Sequence, residues 1–191
     1  MIAIFNISPD QMVPQQGAQN RDEPSKEPDQ HLQRMTATRD FFTQQMPPML
    51  IVEDSNEDFE SFRRYLRRSP LQIPIYRCTN GEQALAFLYH TGNYTNSQSA
   101  PRPGLIILDL NLPGTDGREV LRRVKQDESL KKIPIVVFTT SDNPRDIEDC
   151  YQFGVNSYIV KPINIEQLKR DIQVIIDYWF DVTTLSERSE D

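Results

Sequence analysis

The chain has 191 residues and a formal net charge of −7, from 21 Lys and Arg against 28 Asp and Glu. That length suits one domain with an extension, and basic residues scattered in this way imply no nucleic-acid partner. No apolar run reaches the roughly 20 residues of a membrane-spanning helix, and Cys78, Cys150, His31 and His90 build no zinc constellation. A cytoplasmic protein with reduced thiols and no membrane partner is expected. The apolar opening residues lack the basic flank and cleavage signal of a secretory leader.

Residues 8–45 hold eight Gln and four Pro with no sustained helical or strand period. Such a stretch buries too little apolar surface to offset ordering its backbone, at ~1–2 kcal/mol per residue. Residues 1–46 are therefore expected to form a disordered extension, with Phe41, Phe42 and Met46 docking at its end. A start at Met35 or Met46 would leave the same domain. The folded domain is expected over 47–182, and a short C-terminal tail over 183–191.

From Pro48 onward, β-branched runs at 49–52, 73–78, 105–110, 133–140 and 157–160 alternate with amphipathic segments. Most runs are continuously apolar, as strands covered on both faces should be. Between them, Phe59, Phe62 and Leu66 share a helical face, as do Ala84 with Leu88 and Val120 with Val124. The last segment places Ile165, Leu168, Ile172, Ile175 and Trp179 on one side. Asn56, Asn80, Asp116 and Asn143 suit helix N-caps, and Gly92 and Gly154 suit helix stops. Five such repeats predict a doubly wound α/β fold with a five-stranded parallel sheet. Pro74 removes a ladder donor and suits an edge strand, while Pro134 stands harmlessly at a strand start. The order 2-1-3-4-5 fits both.

Open α/β sheets bind ligands beyond the carboxyl ends of their strands, where strand order reverses. The first strand delivers Glu53 and Asp54 there, the third Asp109, the fourth Thr139, Thr140 and Ser141, and the fifth Lys161. The second delivers only Cys78 and Thr79. Two unit charges 4 Å apart repel by about 4 kcal/mol at an effective dielectric near 20, so grouped carboxylates invite a cation. Mg²⁺ prefers such oxygen ligands and leaves positions open for phosphate. Asp109 is then placed to attack phosphorus, with Lys161 and Thr139 neutralising the oxygens. No Gly-rich nucleotide loop follows the first strand.

The segments Leu50-Ile-Val-Glu-Asp-Ser55, Leu105-Ile-Ile-Leu-Asp-Leu-Asn-Leu-Pro-Gly-Thr-Asp-Gly117, Ile135-Val-Val-Phe-Thr-Thr-Ser141 and Tyr158-Ile-Val-Lys-Pro162 resemble the CheY-like receiver domains of two-component response regulators. Asp116-Gly-Arg-Glu-Val-Leu121, Val155-Asn-Ser-Tyr158 and Tyr178-Trp-Phe-Asp-Val-Thr-Thr-Leu185 are similar, more narrowly, to the small regulators that partner cyanobacterial phytochromes. The resemblance implies that a sensor histidine kinase phosphorylates Asp109. It implies Mg²⁺ on Asp54, Asp109 and the Asn111 carbonyl, with Glu53 acting mostly through water. Thr139 and Lys161 would touch the phosphoryl group, and Thr139 with Tyr158 would form the switch. It further implies a cis Lys161–Pro162 bond and tuning of phosphate loss by Asn111 and Ser141.

No DNA-reading module follows the domain, so a stand-alone receiver is expected, signalling through protein contacts. Tyr151, Tyr158, Tyr178, Trp179 and Phe180 mark the fourth-helix, fifth-strand and fifth-helix face for a downstream partner or a homodimer. A haloacid-dehalogenase-type phosphatase would need a second Asp at position 111, where this chain has Asn, so turnover on small substrates is not expected. The arginines 63, 64, 67 and 68 read as a solvated helix face.

Overall fold

The computed structural model describes residues 46–185. Of the expected N-terminal extension, all but Met46 lies outside the described residues, as do the last six positions of the C-terminal tail. The strands are β1 (Met49–Val52), β2 (Ile75–Cys78), β3 (Leu105–Leu108), β4 (Ile135–Thr139) and β5 (Ser157–Val160). The helices are α1 (Asn56–Leu66), α2 (Gly81–Leu88), α3 (Gly117–Gln126), α4 (Pro144–Gln152) and α5 (Ile165–Asp177). All five strands are parallel, in the order β2-β1-β3-β4-β5.

β2 and β4 begin two residues later than their apolar runs, because each run opens before a proline. Pro74 and Pro134 have no N–H to give, but their carbonyls accept from Met49 and Ile106 at 2.8 and 3.0 Å. Each therefore abuts its strand without breaking the ladder, as the amide chemistry demands.

Side chains alternate across the sheet with the strand period of two. Met49, Ile51, Leu105, Ile107, Val136 and Phe138 pack against Phe62 and Leu66 of α1 and Leu168, Ile172, Ile175 and Ile176 of α5. Leu50, Val52, Ile106, Leu108, Ile135 and Val137 face the opposite way, onto Ala84 and Leu88 of α2, Val120, Leu121 and Val124 of α3, and Cys150 of α4. Two apolar layers thus clamp the sheet, and burying each large side chain contributes about 1.5–3 kcal/mol.

Several local details differ from expectation. Ser55, not Asn56, caps α1, its hydroxyl accepting from the Asp58 N–H at 3.2 Å. Asn80, Asp116 and Asn143 cap α2, α3 and α4 as expected, and Asn164 caps α5 as well. After α2 the left-handed turn falls first on His90 (φ 54°), with Gly92 (φ 58°) opening a short 3₁₀ turn. Gly154, at φ 89°, does stop α4. Ile165, in the first turn of α5, is exposed rather than buried, while Leu168, Ile172, Ile175 and Ile176 carry the buried face. Past Asp177 the helix widens, the Thr183 N–H reaching back to the Tyr178 carbonyl at 2.9 Å. Phe180 is buried there, sealing the α5 side, and Leu185 packs on the same layer.

Candidate functional site

Parallel register brings the site together. Val52 lies beside both Cys78 and Leu108, and Thr139 lies beside Val160. The residue just past each strand remains in the ladder. Glu53 N–H donates to the Cys78 carbonyl at 2.9 Å, Asp109 N–H to Val52 at 3.0 Å, and Lys161 N–H to Thr139 at 2.7 Å. Glu53, Asp109 and Lys161 therefore emerge on one rim, on backbone that the sheet itself holds rigid.

Their side chains converge. The Lys161 ammonium donates to Asp109 Oδ2 at 2.7 Å, to Glu53 Oε2 at 2.7 Å and to Asp58 Oδ2 at 2.8 Å. Carboxylate oxygens of Glu53, Asp54 and Asp109 lie within 4.8 Å of one another. That donor set is all oxygen, anionic and open to solvent at Asp54, which fits a hard divalent cation. Asn111 donates its N–H to Asp109 Oδ1 at 3.0 Å, which brings its own backbone to the same rim.

Electrostatics follows from burial and partners. Burial pushes the Asp109 carboxyl up, but the Lys161 hydrogen bond and charge, the Thr139 hydroxyl and the Asn111 N–H more than offset it, so Asp109 sits below the usual range. Glu53 sits above its usual value, since burial outweighs the pull of Lys161 and Asp109 adds repulsion. Burial disfavours the Lys161 charge, yet Glu53, Asp109 and Asp58 together hold it well above an ordinary lysine. The rim therefore pairs an ionised Asp109 carboxylate with a charged Lys161 ammonium.

The surrounding loops are braced. Gly117 begins α3 so close to the β3 end that a Cβ there would stand 2.1 Å from the Asp109 carbonyl oxygen. Glu82 of α2 accepts from the Thr115 N–H and hydroxyl at 2.8 and 2.6 Å, pinning the loop after Asp109. Thr139 is fully buried, and its hydroxyl accepts from the Ser141 N–H at 3.4 Å. Tyr158 is half-buried and donates its hydroxyl to the Ser141 carbonyl at 3.0 Å, so the two expected switch residues meet through one loop. Ser141 also donates to Asp146, which Arg118 grips from α3.

One expectation is corrected: no peptide bond among the described residues is cis, so Lys161–Pro162 is trans. The ammonium reaches Asp109 regardless, because the ladder bond to Thr139, not the isomer, fixes where Lys161 starts. Three contributors went unnoticed in the sequence. Asp58 looks like an ordinary first-turn acid, and Glu82 likewise. Arg77 belongs to β2, which was expected to supply only Cys78 and Thr79. Its guanidinium donates to the Glu53 and Asp54 carbonyls at 3.0 and 2.9 Å and to Asn56 Oδ1 at 2.7 Å, lying 4.7 Å over the Phe59 ring. It fixes the turn that carries both acids.

Comparison with known proteins gives the same picture. Residues 49–173 match the response regulator receiver domain family. Response regulator Rcp1 of Synechocystis sp. is 43% identical over 141 residues, covering 73% of this chain and 94% of that protein. The solved Mn²⁺-bound form of Rcp1 superposes with a TM-score of 0.70 at 40% identity, covering 74% of this chain and 99% of that one. The phosphorylated cyanobacterial phytochrome response regulator RcpA gives 0.71 at 39% identity, with 74% and 99% covered. With its sheet order, its acidic rim and this match over most of its folded part, the chain belongs to the response regulator receiver family.

Proposed function

We propose that Asp109 is the phosphoacceptor, taking a phosphoryl group from a sensor histidine kinase with Mg²⁺ held by Glu53, Asp54, Asp109 and the Asn111 carbonyl. One observation carries this reading: the Lys161 ammonium 2.7 Å from the Asp109 carboxylate, beside carboxylate oxygens gathered within 4.8 Å. The bound cation supplies charge neutralisation for phosphoryl oxygens and open positions to receive them. The chain's own residues do the rest. Asp109 needs no general base, since its neighbours keep it ionised. Its carboxylate oxygen bonds to phosphorus as the bond from phosphorus to the kinase histidine breaks, and the imidazole leaves. Lys161 and Thr139 donate to the transferred oxygens. Position 111 offers no second acid, and its amide donates to the Thr140 hydroxyl at 3.1 Å, so the reading is of a phosphoacceptor rather than a turnover enzyme.

Output runs through Thr139 and Tyr158. Phosphoryl contact draws Thr139 in, the loop through Ser141 follows, and Tyr158, bonded to that loop, repositions the face of α4, β5 and α5. Tyr151 and Tyr178 stand 53% and 51% exposed there for a downstream protein or a second copy of the chain. Moving the equilibrium from 1:99 to 99:1 takes about 5.5 kcal/mol, which two or three charge-assisted hydrogen bonds at ~1.5–3 kcal/mol each supply. The likeness to RcpA, a phytochrome response regulator, supports a phytochrome as the kinase.

Incubation with Mg²⁺ and acetyl phosphate, read by intact mass, tests the reading. One phosphoryl mass is expected on the parent protein and none on Asp109→Asn. Equal labelling of both moves the acceptor elsewhere.

A further inference from the structure

We propose that Asp58 is a positioning residue that occupies the third N–H of the Lys161 ammonium and competes for it with the arriving phosphoryl group. The inference rests on the phosphoacceptor reading of Asp109 and adds a residue that sets how firmly the phosphoryl group is held.

An ammonium has three donors and no acceptor. Lys161 spends all three, on Glu53, Asp109 and Asp58, at 2.7, 2.7 and 2.8 Å. For Lys161 to donate to a phosphoryl oxygen, one carboxylate has to yield. Asp109 itself receives the phosphoryl group and can pass its lysine bond to a phosphoryl oxygen, so any further N–H has to come from Glu53 or Asp58. The Glu53 side chain is only 3% exposed, so releasing it strands a buried charge. Asp58 is 27% exposed and regains water as it lets go. It also lies outside the group of Glu53, Asp54 and Asp109. Its backbone is held independently of Lys161, because the Ser55 hydroxyl accepts from its N–H at the start of α1. Asp58 therefore competes for the ammonium from a fixed backbone position at the rim.

Two consequences have opposite signs. Removing the Asp58 charge frees one lysine N–H and takes a negative charge away from an incoming anion, so a phosphoryl group is held more tightly. The same change leaves Lys161 more firmly on Glu53 and Asp109 and makes the site less negative, so a divalent cation binds less tightly. A residue that merely supported α1 would weaken both when replaced.

The test uses the full chain and its Asp58→Asn variant, with Asp58→Ala as a second replacement. Mg²⁺ alone is titrated by calorimetry, and beryllium trifluoride, a phosphoryl mimic, is titrated at saturating Mg²⁺. The expected result is Mg²⁺ affinity a few-fold weaker and trifluoride affinity roughly threefold to tenfold tighter, the scale of one partly screened charge contact. Unchanged trifluoride affinity, or weakening of both ligands in both variants, overturns the proposal. A parent protein that binds no trifluoride at all sinks the phosphoacceptor reading, and this proposal with it.

Discussion

Replacing Lys161 by Met keeps the length of the side chain and deletes its charge. In the structure that charge is only 6% exposed and faces Glu53 and Asp109, at 3% and 7%. Removing one member of a buried, hydrogen-bonded ion pair costs about 3–5 kcal/mol, because the partner stays behind unpaired. The Asp58 arm is more solvated and adds no more than ~0–1 kcal/mol. The net loss at neutral pH is therefore put at about 3–5 kcal/mol, measured by urea unfolding without divalent metal.

The pH dependence carries a sign. In the parent, Asp109 lies below its unfolded value of 3.8, so its stabilisation is present above that value and is lost as pH falls through the folded one. Without Lys161, Glu53, already above its unfolded value, rises further and Asp109 rises above its own, so their ionised forms become the liability. The deficit of the variant then shrinks as pH drops through the carboxylate range. Added Mg²⁺ should restore stability, by about 2.7 kcal/mol at a hundred times its Kd. A variant as stable as the parent in metal-free buffer, or a deficit flat with pH, would refute the reasoning.

Other perturbations read different parts of the scaffold. Gly117→Ala drives a Cβ to 2.1 Å from the Asp109 carbonyl and 2.7 Å from the Leu110 Cα, which backbone cannot absorb. Calorimetry should show a Tm lower by roughly 2–12 °C, from about 1–3 kcal/mol of overpacking, and an unchanged Tm contradicts the packing. Arg77→Gln unclamps the carbonyls of Glu53 and Asp54; Mg²⁺ titration should show several-fold weaker binding with the fold intact by circular dichroism. Burial pushes the Cys78 thiol up to about 12 and Cys150 up to about 11, and both are fully buried. A thiol reagent at pH 8 should label neither until denaturant is added, so prompt labelling of the native protein counts against this core.

Much of this was legible in the linear sequence because it depends on periods and strand ends. Continuous apolar runs announced doubly covered strands, and Pro74 announced the edge. Once the strands are parallel and in register, Glu53, Asp109 and Lys161 have nowhere to go but one rim. What stayed hidden depends on tertiary partners. Ser55 and Asn56 are near-equal caps in adjacent positions, and only the helix phase chooses between them. Ile165 matches the period of α5, but the buried face of the helix begins only at Leu168. Arg77 and Asp58 are charged residues like many others until Lys161 and the β1–α1 turn are folded beside them. Trp179 follows the period of α5, but the wider coil from Tyr178 leaves it only partly covered while Phe180 goes inside.

The position of the phosphoryl group is the most direct measurement of all. Protein treated with acetyl phosphate and Mg²⁺ can be reduced with borohydride, which converts an aspartyl phosphate to homoserine, and then mapped by peptide mass spectrometry. The mass change should fall on Asp109 alone, at the centre of the ring formed by Glu53, Asp54, Thr139 and Lys161. A change on Asp54 or Asp58, or none on any carboxylate of the rim, would contradict the assignment.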